Sequence, residues 1–192
     1  MEENSVTPPY KLLLIGGSAG SLEALIKILP RLTAIPDFAI VIVLHRKSSE
    51  DSTLEDLIAI KTSIPVKEVE DKVALLPGNI YVAPSDYHLL FEKNGWLSLD
   101  TSEKVNYSRP SIDVSFESAA DAFGTGVAAI LLSGANADGT HGLVEIKQAG
   151  GTVIIQDPES AEMPFMPRNA LQNVTPSHLL DVEGILAYIQ SL

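Results

Sequence analysis

A serine, a histidine and an aspartate each follow an apolar run in this chain, and these three types together can transfer an acyl group. Ser18 lies in Gly16-Gly-Ser-Ala-Gly20, between the apolar run 11–15 and a helical pattern of Leu22, Leu25, Ile26 and Leu29 closed by Pro30. A Gly-x-Ser-x-Gly turn between strand and helix exposes a hydroxyl and sets backbone N–H groups behind it. His45 directly follows the run Phe38 to Leu44, and Asp138 lies in the loop after Leu132. A serine hydroxyl is a poor nucleophile at neutral pH and needs a base, and the base needs a carboxylate to fix its tautomer. The chain supplies one candidate for each role.

Other readings of the same residues stand beside this one. A dinucleotide fingerprint wants Gly-x-Gly-x-x-Gly and an acid after the second strand, but here Ile15 takes the first position and the second run ends in His45 and Arg46. The glycines also suit a plain tight turn, and Asp138-Gly139 is an ordinary turn pair. The loop Ser133-Gly-Ala-Asn-Ala-Asp-Gly-Thr-His-Gly142 lacks the spaced oxygen ligands and terminal Glu of a calcium loop. Such a loop can bring backbone N–H groups near a substrate, so Ser133, Gly134, Ala135 and Asn136 join Ala19 as oxyanion candidates, with Arg109 as a candidate substrate residue. His141, close after Asp138, is the main rival base. His88 sits in a strand-like run, and His178 lies near the C-terminus without a supporting pattern.

The elements that would position these residues alternate. Strand-like runs at 11–15, 38–44, 127–132 and 152–155 are interleaved with helical patterns at 22–29, 53–61 and 143–149. That order predicts βαβ units in a doubly wound α/β fold, a mainly parallel sheet with helices on both faces. In such a sheet ligands sit beyond the carboxyl ends of the strands, where Ser18, His45 and Asp138 all fall. Ile80 to Val82, Tyr87 to Phe91 and Trp96 to Leu99, with a turn at 93–95, predict an antiparallel insert, and Ile112 to Phe123 a further helix closed by Gly124.

The 192 residues suit one domain, 1–192, with residues 1–10 as an N-terminal tail. There is no cysteine, which excludes disulfides, thiolate metal sites and a cysteine nucleophile and is compatible with the cytoplasm. The net charge of −12 argues against nucleic-acid or anionic-membrane binding. Lys11, Arg46, Lys47, Arg109 and Arg168 are the candidates for a locally basic groove. No apolar run approaches the roughly 20 residues of a membrane span, and the acidic start lacks the features of a signal peptide.

Taken together, the segments Ile15–Gly20, Val43-Leu-His45, Tyr81-Val-Ala-Pro84 with Tyr87-His88, Arg109-Pro-Ser-Ile-Asp113 and Leu132–Gly139 resemble the catalytic domain of the bacterial chemotaxis protein-glutamate methylesterases, the CheB family. Gly150-Gly151 through Gln156-Asp157, then Met166-Pro167, extend the resemblance, which runs from about Leu12 to Leu171. It implies an α/β/α fold with Ser18 as nucleophile, His45 as general base and Asp138 as its orienting acid. It implies a serine esterase acting on glutamate γ-methyl esters of chemoreceptor cytoplasmic helices, with glutamine deamidation in many members. It also implies a cytoplasmic signal-transduction role, no metal or cofactor, and partners among methylated chemoreceptors and phosphorelay or methyltransferase proteins.

The chain departs from the family pattern in two places. Ala19, Gly20 and Ser21 stand where many members have Thr-Gly-Gly, and Ala135 and Asn136 where many have Met-Gly. Well-known members also carry an N-terminal receiver domain; ten residues cannot form one, so a stand-alone form is expected. The alternative reading is a differently targeted or non-catalytic signalling module that retains the fold.

Overall fold

Segments apolar at every position must be covered on both faces, and such segments build the centre of this molecule. The structure, a computed structural model, describes residues 12–46 and 53–192. Lys11, Lys47 and the tail 1–10 lie outside them. In chain order the elements are β1 (Leu12–Gly17), α1 (Ser21–Ile28), β2 (Ala39–Leu44), α2 (Thr53–Lys61), β3 (Val66–Glu68), β4 (Val73–Ala74), β5 (Ile80–Val82), β6 (His88–Phe91), β7 (Trp96–Asp100), α3 (Ile112–Phe123), β8 (Val127–Leu131), α4 (Thr140–Gln148), β9 (Thr152–Gln156), α5 (Phe165–Asn173), β10 (His178–Leu180) and α6 (Val182–Gln190).

Seven strands form one sheet in the order β10-β9-β8-β1-β2-β5-β3, every pair parallel. All residues of β1, β2 and β8 are buried. Alternation divides the core in two. Leu12, Leu14, Val41 and Val43 face Ile112 and Phe116 of α3, Leu143 and Ile146 of α4 and Met166 of α5. Leu13, Ile15, Ile40 and Ile42 face Leu25 and Ile28 of α1, Ile58 of α2 and Ile185 and Ile189 of α6. The predicted α/β/α arrangement is what forms. The second sheet, β4-β7-β6, is antiparallel, and its Leu89, Phe91 and Leu97 join the α3 side of the core.

One sequence expectation is corrected here. Ile80–Val82 is not part of the antiparallel insert; β5 pairs in parallel with β2 and β3 in the main sheet. A three-residue run next to hairpin strands carries no sign of its pairing direction, and burial on both faces decided it.

The chain runs from β1 to β2 on one side and later returns to lay β8 on the other. The strand order therefore reverses beside β1, and the ends of β2, β1 and β8 meet at one switch point.

Candidate active site

Hydrogen bonding continues past the strand ends and fixes the three loops relative to one another. Leu132 N–H donates to the Gly16 carbonyl at 2.9 Å, Ser18 N–H to the Ser133 carbonyl at 2.9 Å, and His45 N–H to the Gly17 carbonyl at 3.2 Å. Ser18 thus lies between the other two loops, partly exposed at the head of α1. The turn that lifts it needs Gly20, whose φ is 83° and where a Cβ would come within 2.7 Å of both Glu162 Cβ and Ser133 Oγ.

His45 Nε2 lies 2.6 Å from Asp138 Oδ2. The aspartate side chain is fully buried and the histidine is 12% exposed. An ionised carboxylate only accepts, so the ring carries its proton on Nε2 and keeps a lone pair on Nδ1. Asn136 agrees with that tautomer. Its Oδ1 accepts from Asp138 N–H at 3.0 Å, which turns Nδ2 toward His45 Nδ1 at 3.5 Å. The serine mechanism requires a lone pair on the ring nitrogen that the carboxylate does not hold, which in His45 is Nδ1.

Asp138 is held by more than the histidine. Oδ2 also accepts from Ile112 N–H at 2.7 Å; Oδ1 accepts from Asp113 N–H at 3.1 Å, Ser111 Oγ at 2.9 Å and Asn106 Nδ2 at 2.9 Å. Ile112 and Asp113 are the first residues of α3 and Ser111 is its N-cap, so the carboxylate sits at the positive end of a twelve-residue helix. Burial pushes the Asp138 carboxyl up, but His45, Asn106 and the two helix N–H groups outweigh it and hold it below the ordinary aspartate value. Asp113 goes the other way: burial and the Asp138 charge raise it against hydrogen bonds from Gly142 and Asn106.

His88 supports this cradle from behind. Fully buried, it accepts Ser111 N–H on Nδ1 at 3.2 Å and donates from Nε2 to the Glu103 carbonyl at 2.8 Å. In the sequence, Arg109–Asp113 marks the resemblance, a candidate substrate residue at Arg109 and a helix start at Ile112, but no support for the triad. Its tie to Asp138 was invisible because 25 to 27 residues separate the partners.

Several candidates change role. The N–H groups of Ser133 and Gly134 are not oxyanion donors: they bind Gln156 Oε1 at 3.0 Å and the Met163 carbonyl at 3.0 Å. Those of Ala19, Ala135 and Asn136 take no hydrogen-bond partner among the described residues and stay available. Arg109 Nη1 binds the Thr101 and Ser102 carbonyls at 3.0 and 2.9 Å and so braces the loop before α3. His141 is in the first turn of α4, 65% exposed and beside Glu117 and Glu145. It does not reach the site. His178, on β10, has its ring tilted against that of Tyr188 of α6. Ser21 is buried with its hydroxyl on the Ser18 carbonyl, so it cannot stand in as nucleophile. Among the described residues the basic groove does not assemble either, since Arg46 pairs with Glu55 and Glu68 and Arg168 with Glu159.

Among the described residues no group of His, Cys, Asp and Glu side chains is arranged to hold a metal ion, and no helix is long and apolar enough to cross a membrane.

Known proteins resemble this chain in sequence and in overall structure. The model of the family described as CheB methylesterase matches residues 13–189. A Leptospira interrogans chain, named as a candidate protein-glutamate methylesterase/protein-glutamine glutaminase, is 40% identical over 176 residues, or 92% of this chain and 91% of the relative. The Thermotoga maritima protein-glutamate methylesterase/protein-glutamine glutaminase is 34% identical over 165 residues, 84% of this chain but 48% of the relative, so this chain spans about half its length. The crystal structure of the Thermotoga maritima CheB methylesterase catalytic domain superposes with a TM-score of 0.89 at 32% identity, covering 95% of this chain and 99% of that one.

Proposed function

The chain belongs to the CheB methylesterase family, and we propose that it hydrolyses glutamate γ-methyl esters on the cytoplasmic helices of chemoreceptors by a Ser18–His45–Asp138 mechanism. The observation that carries this reading is the 2.6 Å contact between His45 Nε2 and the buried Asp138 carboxylate, which leaves the Nδ1 lone pair to serve as the base. Ser18 Oγ attacks the ester carbonyl carbon while Nδ1 takes the hydroxyl proton. The negative charge that develops on the carbonyl oxygen is met by N–H groups from Ala19 and from the 135–136 turn. The imidazolium, stabilised by Asp138, then gives its proton to the departing methoxide, and methanol leaves an acyl-enzyme. Water, deprotonated by Nδ1, attacks the acyl carbon and releases the glutamate carboxylate and Ser18.

A glutamine side chain fits the same steps, with ammonia in place of methanol. The double names of the Leptospira and Thermotoga relatives support that second activity here. The test uses a receptor cytoplasmic fragment carrying isotope-labelled methyl esters. Wild type should release labelled methanol and Ser18→Ala should not; equal release by both would overturn the Ser18 assignment, and none by wild type would leave a non-catalytic or differently targeted module.

A further inference from the structure

Asn106 sits in a solvent-facing turn, yet its side-chain nitrogen reaches two buried carboxylates. Nδ2 donates to Asp113 Oδ2 at 2.7 Å and to Asp138 Oδ1 at 2.9 Å. Both partners are acceptors only, so the amide orientation is fixed and both of its protons are engaged. We propose that Asn106 is a positioning residue for hydrolysis, bridging Asp113 to Asp138 so that Oδ2 stays aimed at His45. The proposal rests on the Ser18–His45–Asp138 reading above.

The bridge joins two helix starts. Asp138, just before α4, accepts the first N–H groups of α3, while Asp113, at the start of α3, accepts Gly142 N–H of α4 at 2.7 Å. Each carboxylate therefore caps the other's helix, and the two negative charges are held close together. Two neighbouring carboxylates oppose each other's ionisation, and burial makes this worse. A donor shared between them relieves the repulsion without adding charge. Losing it restores the repulsion and leaves only Ser111 Oγ and Asp113 N–H on Oδ1, so the carboxylate shifts and Oδ2 is less well aimed at the imidazole. The charged groups facing this pair are His45 from the end of β2, Glu117 one turn along α3 and, beyond it, His141 on α4.

A simpler role would be turn chemistry alone. Val105 and Ser108 form a small bridge whose middle residues, Asn106 and Tyr107, have φ of 51° and 62°. Asparagine is favoured there, but glycine is easier still. Substitution by glycine therefore separates the two roles, because it keeps the turn and removes the amide.

The experiment measures the rate at which a fluorophosphonate labels Ser18, from pH 5 to 9 (about the range over which histidine titrates), with thermal melts of each protein. Asn106→Gly should stay folded and react about tenfold more slowly, the effect of losing a hydrogen bond to a charged group. Asn106→Asp, also tolerated at positive φ, should be slow and should move the acid limb to higher pH, because an added negative charge favours proton uptake by the cluster. Tyr107→Gly alters the same turn at a side chain 98% exposed, and should stay within about twofold of wild type.

A glycine variant as fast as wild type, an unmoved acid limb in Asn106→Asp, or equal slowing by Tyr107→Gly would overturn the proposal. If Asn106→Gly fails to fold, the Asn106→Asp profile decides alone. Absence of labelling in wild type would instead overturn the triad reading, and this proposal with it.

Discussion

Asp138→Asn exchanges one carboxylate oxygen for an NH₂ group while five donors converge on the site. Turned toward the Oδ1 side, the NH₂ would face Asn106, Ser111 and Asp113 N–H. Turned toward the Oδ2 side, it faces only Ile112 N–H and His45, and His45 can respond by moving its proton to Nδ1. The second arrangement conflicts with fewer donors, and it presents a proton where Ser18 needs a lone pair. Forcing the wrong tautomer in a serine protease triad lowers turnover about 10⁴-fold, or roughly 5.5 kcal/mol of barrier. Ile112 N–H also loses its acceptor at about 1–3 kcal/mol, and the helix start loses its anion at up to about 2 kcal/mol. At ~2–4 °C per kcal/mol for a domain of this size, melting should fall by roughly 2–20 °C.

The assay is the labelling rate at Ser18 per folded molecule, beside a thermal melt. A folded variant that keeps its rate to within about tenfold would refute the tautomer argument. The melt gap should also depend on pH. The folded value of Asp138 is depressed, so its stabilisation is present above the unfolded value of about 3.9 and lost as pH falls through the folded one. The difference between wild type and variant should therefore shrink below about pH 4; a gap that stays constant or widens would contradict the cradle.

Other predictions follow from the same geometry. His45→Gln should remove the acid limb of the pH–rate profile with most of the activity, whereas His141→Gln should leave both, because His141 faces solvent from α4; a reversed outcome in the same profiles would exchange their roles. Gly20→Ala should lower melting by the equivalent of about 1–2 kcal/mol or more, since its φ of 83° disfavours a side chain and a Cβ would collide with Glu162 and Ser133; an unchanged melt would show that the turn relaxes freely. Gln156→Ala should release Ser133 N–H and weaken labelling without moving the acid limb, read from the same kinetics.

The meeting of the Ser18, His45 and Asp138 loops was legible in the sequence because strand ends in a parallel sheet converge, and the apolar runs marked those ends. Asn106, Ser111 and His88 were not legible as supports. They act across 23 to 32 residues through hydrogen bonds that no periodicity encodes. His141 looked like a rival by proximity to Asp138 until α4 began at Thr140 and turned it outward. Ser133 and Gly134 looked like oxyanion donors until Gln156 and Met163 occupied their N–H groups. The strands β3, β4 and β10, of two or three residues each, are too short for alternation to show.

The central claim is that Ser18 is the activated nucleophile, and the most direct measurement is the mass-spectrometric position of the fluorophosphonate adduct. Wild type should carry a single adduct on the peptide containing Ser18, with none in Ser18→Ala and very little in His45→Gln. An adduct on Ser133 or any other hydroxyl, or undiminished labelling of Ser18→Ala, would contradict it.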